Sequence, residues 1–250
     1  MRIVEDSKGR RSAVVCRCRS ERRSKQLLAH ARIPPRFANA TLYGMDGGDR
    51  GSHDASASKA QHFANEFVRD YQLRHRQDGK GLLFIGSNGV GKTHLGIAVL
   101  RGLMELWDVR GIFYDYGDLL RTVMHSYSPQ IASSELEILK PLFECDVLMI
   151  DELGAFRPTE WVQDTVAHIL NTRYSSGKTT ILTTNYSNAA EVDRASLHKL
   201  TDAQLSARPQ TLGDRIGNGM HSRLQEMCYV IEMYGADLRT TSKRASLARL

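Results

Sequence analysis

The chain has 250 residues, of which 41% are hydrophobic, enough to bury one full core with a small appendage beside it. The sequence contains no apolar run of the roughly 18 to 20 residues that would span a bilayer. Its opening stretch, MRIVEDSKGRR, lacks the apolar centre of a signal peptide. These features predict a soluble, cytoplasmic protein that makes no use of a membrane.

The net charge of +6 is unevenly distributed along the chain. Residues 1–36 contain eleven Lys or Arg and three acidic residues, a net of +8, and residues 236–250 contain four and one, a net of +3. The part between them therefore carries −5. Basic ends on an acidic core favour contacts with nucleic acid or with an acidic partner, although solvated tails have the same composition. We expect a basic N-terminal segment (1–36), a main domain (37–235) and a basic C-terminal tail (236–250).

The four cysteines are too few and too scattered for a disulfide framework. Cys145 and Cys228 follow or precede apolar runs and are typical of core residues. Cys16 and Cys18 resemble half of a zinc site, but the sequence offers no second CxxC and no nearby His pair to complete four ligands. Zinc binding stays an open question at this point.

The first part of the chain contains two predicted helices. SERRSKQLLAHA has helical composition and ends before Pro34 and Pro35, which prevent its continuation. GMDGGDRGSHDASAS is typical of a loop. In KAQHFANEFVRDYQL, the residues Phe63, Phe67 and Tyr71 are four apart and form one apolar stripe, which predicts a second helix.

From residue 81 onward, short apolar runs alternate with helical stretches. The predicted strands are 82–85, 112–116, 147–150, 180–184 and 228–233, and the predicted helices are 92–106, 117–126, 134–143 and 160–174. Such alternation predicts a three-layer α/β fold with a parallel sheet covered by helices.

One further helix is predicted over residues 212–224. Leu212, Ile216, Met220 and Leu224 are four apart and form one apolar stripe. Three glycines in the same stretch weaken the prediction, because each destabilises a helix by about 1 kcal/mol relative to Ala.

The stretch GSNGVGKTH lies between the first of these strands and the first of these helices. It matches the P-loop pattern G-x-x-x-x-G-K-T in the strand-loop-helix context that the pattern requires. In such a loop, Lys92 contacts the β- and γ-phosphates and Thr93 ligates Mg²⁺. We therefore predict ATP and Mg²⁺ as ligands, held by Gly86, Ser87, Asn88, Gly89, Val90, Gly91, Lys92, Thr93 and His94.

Polar residues follow two of the other predicted strands. In VLMIDE, Asp151 comes at the carboxyl end of a buried strand, where parallel sheets bind ligands, and is predicted to be the second magnesium ligand. Glu152 follows it and is placed to polarise a water molecule in line with the γ-phosphate. Asn185 ends TILTTN; it either orients that water or caps the next helix.

Together these motifs resemble the AAA+ ATPases, and more narrowly the DnaC/IstB-like group of helicase loaders and transposition helpers. The resemblance extends from about residue 31 to 239 and is carried by GLLFIGSNGVGKTHL, FYDYGDLL, DVLMIDELG, TEWVQDTVAHILNTRY, TILTTNY and SRLQEMC. It implies a five-stranded sheet of order 5-1-4-3-2, a minimal C-terminal lid and self-association with ATP at the subunit interface. It also implies that Asn185 is a sensor of the γ-phosphate.

The resemblance further implies an arginine finger, a residue that reaches the ATP of a neighbouring subunit. Matched motif to motif, SRLQEM assigns this role to Arg223. Arg215 in LGDRI and Arg173 in NTRY are the alternatives. The family also places the helix YGDLLRTVMHSY at a central channel, which makes Tyr116, Arg121 and His125 candidate contacts to single-stranded DNA.

The expected function is that of a DnaC-like ATPase that loads a replicative helicase onto DNA, with residues 1–36 as a shortened partner-binding segment. An IstB-like ATPase that assists a transposase on target DNA is the alternative. Two other functions stay open. One is a P-loop kinase that acts on a small molecule, in which Glu152 and Arg223 would have no role. The other is a switch that binds ATP and hydrolyses it negligibly.

Overall fold

The computed structural model describes residues 2–5, 11–14, 17–42, 55–126, 135–190 and 208–238. Its strands are β1 (Arg2–Glu5), β2 (Arg11–Val14), β3 (Gly81–Gly86), β4 (Gly111–Asp115), β5 (Val147–Asp151), β6 (Thr179–Thr184) and β7 (Cys228–Met233). Strands β1 and β2 form a separate antiparallel pair. The other five form one parallel sheet of order β4-β5-β6-β3-β7. Counted from β3, this is the predicted order 5-1-4-3-2, which is therefore confirmed.

Helices precede and separate the strands of this sheet. They are α1 (Arg17–His30), α2 (Ala55–Asp70), α3 (Arg76–Asp78), α4 (Lys92–Trp107), α5 (Tyr116–Ser126), α6 (Glu135–Glu144), α7 (Glu160–Ser175), α8 (Leu212–Ile216) and α9 (Asn218–Met227), with a π-helical turn at Tyr71–His75 between α2 and α3. Within the described ranges, no helix combines the length and apolar character needed to cross a membrane.

The sheet has a hydrophobic cluster on each face, which confirms the three-layer α/β class. Successive side chains of β3 point to opposite faces, as in any strand. Leu82 and Phe84 pack with residues of α2 and α4 on one face. Leu83 and Ile85 pack with residues of α5, α6, α7 and α9 on the other. Helices on both faces leave the carboxyl ends of the strands as the open edge where a ligand can bind.

The prediction of one helix over residues 212–224 is wrong, because the chain forms two helices there. Thr211 begins α8 with a capping box, in which its side chain and that of Asp214 each accept a backbone hydrogen bond from the other residue. Gly217 then separates α8 from α9 with φ 83° and ψ 150°. A backbone angle of this sign is open to glycine and disfavoured for other residues, which is why the break falls there.

The segment after α1 covers an edge of the sheet. Helix α1 ends at His30, ahead of the two prolines as predicted. The carbonyl of Ala31 then accepts a hydrogen bond of 2.8 Å from the backbone N–H of Phe113 on the edge strand β4. Leu27, Leu28 and nearby residues pack against the core. The end of the basic segment 1–36 thus shares the core of the main domain, and its role in partner binding stays a prediction.

Candidate nucleotide-binding site

The predicted phosphate loop connects β3 to α4 at the carboxyl edge of the sheet. Gly91 is the residue before α4 and has φ 97°. This left-handed conformation lets the chain turn directly from the loop into the helix. Lys92 and Thr93 thereby occupy the first turn of α4, at the positive end of the helix dipole. The local backbone is that expected of an anion cradle.

The side chain of Lys92 folds back into this loop. It is 7% exposed, and its ammonium donates hydrogen bonds of 2.9 Å to the carbonyl of Gly86 and 2.7 Å to that of Ser87. The positive charge is thus concentrated inside the loop, where it favours binding of a polyphosphate.

Asp151 is the centre of a buried hydroxyl-carboxylate cluster beside the loop. The hydroxyl of Thr93 donates to both carboxylate oxygens, at 2.9 and 3.0 Å, and that of Thr183 donates to Oδ1 at 2.6 Å. Burial raises the pKa of Asp151, the hydrogen bonds from Thr183 and Thr93 oppose this effect, and the charge of Asp115 on the neighbouring strand adds to it. A hydroxyl next to a carboxylate is the oxygen donor set that Mg²⁺ prefers, so these residues fit the ion.

Glu152 begins the turn that follows β5, and its side chain is exposed at the edge of the site. It has φ 59°, one of three positive values at non-glycine residues in the described part of the chain. Its backbone N–H donates to the hydroxyl of Thr183 at 2.9 Å. Asn185 directly follows β6 and is also exposed. No helix begins between Asn185 and residue 190, so the structure offers it no helix to cap in that stretch.

The prediction that Arg173 is a candidate arginine finger is wrong. It is 0% exposed at the end of α7, and its guanidinium donates to the backbone carbonyls of Leu142, Cys145 and Thr179 and to the hydroxyl of Thr180. Burial lowers its pKa, and nearby groups including Cys145 oppose this. A group so enclosed joins α6, α7 and β6 inside its own chain and cannot reach another subunit.

Arg215 is also held within its own chain. Its guanidinium donates at 2.7 Å to the carbonyl of Gly154, at 2.7 Å to that of Phe156 and at 2.6 Å to the side chain of Gln210, and it stacks over the ring of Tyr186. With 9% of its surface exposed, it connects α8 to the turn after β5. Its contacts are those of a structural arginine.

Arg223 lies on α9 and is partly exposed. Its guanidinium is 4.8 Å from the ring centre of Tyr174, whose hydroxyl donates to Glu226. Tyr174 lies near the C-terminal end of α7, shortly before β6 begins, so Arg223 lies towards the amino ends of the strands. It is therefore remote from the loop of its own chain, and its assignment as the finger stays a prediction.

The prediction that Tyr116 contacts DNA is wrong. It is 1% exposed in the core cluster of α5, and its hydroxyl has no hydrogen-bond partner in the described structure. Burial raises the pKa of this phenol. Arg121 and His125 lie on the exposed face of α5, where Arg121 pairs with Asp118 at 2.7 Å, so they stay candidates.

Two other predictions concern histidine and cysteine side chains. His94 is half-buried, and its ring forms a hydrogen bond to the backbone of Thr41, while burial lowers its pKa. The role of His94 in nucleotide binding stays a prediction. Cys145 and Cys228 are buried, as predicted for core residues. Cys16 lies outside the described residues, as does the side chain of Cys18, and in the described ranges no three His, Cys, Asp or Glu residues form a metal cluster.

Thr183 is the residue of this site that the sequence analysis missed. The strand TTILTT has four threonines, and the structure buries all of them. A buried hydroxyl requires a hydrogen-bond partner, so threonines in an otherwise apolar strand that ends beside a carboxylate were a usable signal.

Comparisons with known proteins agree with this geometry. A family model for the IstB-like ATP binding protein matches residues 17–246. A crystal structure of the DnaC helicase loader is 32% identical, with a TM-score of 0.61 over 80% of this chain and 99% of that one.

Two curated proteins of Bacillus subtilis (strain 168) also match parts of the chain. The phage-like element PBSX protein XkdC is 26% identical over 67% of this chain and 62% of its own length. The replicative helicase loader DnaI is 32% identical over 49% of this chain and 38% of its own. The chain thus spans less than two thirds of either relative. With the family model and the DnaC structure, these matches show that the chain belongs to the IstB-like ATP-binding proteins, AAA+ ATPases related to the DnaC and DnaI helicase loaders.

Proposed function

We propose that this protein hydrolyses ATP to load a replicative helicase onto DNA. The observation that carries the ATPase half is the contact of Thr93 with Asp151 beside the buried ammonium of Lys92, because a nucleotide with Mg²⁺ needs these three groups together. The loader half is supported by the 32% identity to the DnaC helicase loader over almost all of that chain.

The chain's own residues divide the chemistry among them. On nucleotide binding, Lys92 would exchange its two carbonyl partners for phosphate oxygens, and Thr93 and Asp151 would hold Mg²⁺. That ion would supply neutralisation of charge on the phosphates. Glu152 accepts a proton from the attacking water, and Asn185, at the tip of the adjacent strand, orients that water.

Arg223 completes the site of a neighbouring copy. Its own phosphate loop is at the carboxyl ends of the strands, whereas Arg223 lies towards the amino ends. A residue so placed can act on ATP only in trans, where its guanidinium stabilises charge that develops on the γ-phosphate. Self-association with ATP at the interface follows from this assignment.

The remaining parts of the chain serve the partners. The basic segment 1–36 binds the helicase, and the basic tail 236–250 assists contact with single-stranded DNA. Arg121 and His125 on the exposed face of α5 are the DNA contacts of the main domain. The core between the basic ends, residues 37–235, is the ATPase domain.

An ATPase that assists a transposase on target DNA is the second candidate. The observation in its favour is the match of residues 17–246 to the family model for IstB-like proteins. Both candidates share the ATP chemistry and differ in the protein that the ATP-bound form recruits.

Trapping the ATP-bound form tests the proposal and identifies the partner. Lys92→Ala should lose ATP binding, whereas Glu152→Gln should keep it and accumulate an assembled state, because the base is removed and the cradle is intact. Tagged Glu152→Gln protein with ATP is mixed with the replicative helicase and the transposase of the same genome. Recovery of the helicase supports the loader, and recovery of the transposase supports the second candidate. Equal loss of ATP binding in both variants would refute the role of Glu152.

A further inference from the structure

The hydroxyl of Thr183 connects the two acidic residues of the site. It donates to Oδ1 of Asp151 at 2.6 Å and accepts the backbone N–H of Glu152 at 2.9 Å. The residue is 1% exposed, so water does not compete for these bonds. A single buried hydroxyl on β6 therefore contacts both the carboxylate at the end of β5 and the first residue of the turn after it.

The directions of these two bonds are fixed. A carboxylate only accepts, so the one hydroxyl proton of Thr183 points to Asp151; an amide N–H only donates, so the oxygen accepts from Glu152. The bonds form a chain in which each polarises the next, and such chains are stronger than isolated bonds.

The turn at Glu152 requires support of this kind. Its φ of 59° is disfavoured for a residue with a side chain, and such a conformation persists only where the surroundings hold it. Thr183 makes two hydrogen bonds to this turn, because its carbonyl also accepts the backbone N–H of Leu153 at 2.8 Å. The neighbouring strand therefore holds this turn: the hydroxyl of Thr184 donates to the carbonyl of Leu153 at 2.8 Å, and the side chain of Thr183 contacts Glu152 itself.

Thr183 differs from Thr93, the other hydroxyl on Asp151. Thr93 is in the first turn of α4 and is placed to exchange its carboxylate partner for a metal ion. Thr183 is buried near the carboxyl end of β6, the central strand of the sheet, and is not one of the predicted ligands of the metal ion. Its contacts with Asp151 and Glu152 are therefore suited to persist through a catalytic cycle.

We propose that Thr183 is a positioning residue for ATP hydrolysis: it holds Glu152 in the left-handed turn from which its carboxylate reaches the attacking water. This inference rests on the proposed role of Glu152 as the base. It predicts that loss of the hydroxyl lowers kcat and leaves ATP binding in place, since Lys92 and the phosphate loop are untouched.

The test compares three substitutions on β6. Thr183→Val keeps the shape and removes the hydroxyl, and Thr183→Ser keeps the hydroxyl. Thr180→Val is the matched control, because it removes a buried hydroxyl from the same strand at the end that contacts Arg173. We expect kcat of Thr183→Val to fall about 10- to 100-fold, the range for a catalytic group displaced by up to about 1 Å, with the ATP Kd changed less than about 3-fold. Thr183→Ser and Thr180→Val should keep kcat within about 3-fold of wild type.

Hydrogen exchange of the Glu152 amide provides a readout that does not depend on turnover. The amide should be protected in the wild type and in Thr183→Ser and exchange faster in Thr183→Val. If Glu152→Gln is inactive but Thr183→Val keeps the kcat and the amide protection of the wild type, the role of Thr183 is overturned and that of Glu152 is not. Full turnover in Glu152→Gln would overturn the proposed base and, with it, this inference.

Discussion

Replacing Arg173 by Leu separates a structural arginine from an arginine finger. The substitution removes the five donors of the guanidinium and leaves its acceptors in place: the carbonyls of Leu142, Cys145 and Thr179 and the hydroxyl of Thr180. These groups are in the fully buried space between α6, α7 and β6, where water cannot replace the lost donors.

The expected loss of stability follows from these contacts. Each buried polar group left without a partner costs about 1 to 3 kcal/mol, whereas removal of a buried cation returns part of its desolvation cost. The net effect should be about 4 kcal/mol. In a chain of this length, 1 kcal/mol shifts the melting temperature by about 2 to 4 °C, so Arg173→Leu should melt about 8 to 16 °C lower. Arg173→Lys, with three donors, should lie between Leu and the wild type.

Thermal unfolding monitored by circular dichroism measures this shift, with Arg76→Leu as the control. Arg76 is exposed and donates a hydrogen bond of 3.0 Å to the side chain of Gln72, which is also exposed, so its loss should change stability by less than about 0.5 kcal/mol. The structural assignment of Arg173 would be refuted if Arg173→Leu melted within about 2 °C of the wild type and yet lost partner-stimulated turnover.

Two further predictions concern buried groups with raised pKa values. Burial raises the pKa of Asp151, so its contribution to the stability of the nucleotide-free protein is largest at low pH and is lost as the pH rises through the raised pKa. Asp151→Asn should therefore have a higher melting temperature than the wild type at pH values above that raised pKa, and it should lose this pH dependence. The same substitution should abolish Mg²⁺-dependent ATP binding. A lower melting temperature for Asp151→Asn would contradict this. Tyr116→Phe removes a buried hydroxyl that has no partner, so it should leave DNA affinity unchanged and stabilise the fold by about 1 kcal/mol, and weakened DNA binding in a filter assay would count against the burial argument.

The fold was predictable from sequence because its signals are local. The strands of the sheet are short runs that are mostly apolar or, in β6, rich in threonine, and GSNGVGKTH lies between a strand and a helix, as its pattern requires. The exact path of residues 212–224 was not predictable, because the apolar spacing of four continues across the break. The backbone angle of Gly217 ends α8 there, and no side-chain pattern encodes that angle.

The site was predictable only in part, since some of its contacts join distant segments. Lys92, Thr93 and Asp151 belong to motifs that specify their roles, and the structure brings them together. Arg173 has the sequence context of a surface helix residue, and only the packing of α6 and β6 around it reveals that it is buried. Thr183 joins β5 to β6 through one hydroxyl, a contact between residues 32 positions apart that spacing along the chain does not show.

We propose that ATP is hydrolysed in a cleft completed by Arg223 of a second copy. Mixing Arg223→Ala subunits with Lys92→Ala subunits tests it directly, because the first have an intact phosphate loop and the second an intact finger. We predict that neither variant turns over ATP alone with DNA and partner present, that Arg223→Ala binds ATP nearly as well as wild type, and that the mixture recovers a substantial part of the activity. A mixture that assembles and stays inactive would contradict the claim.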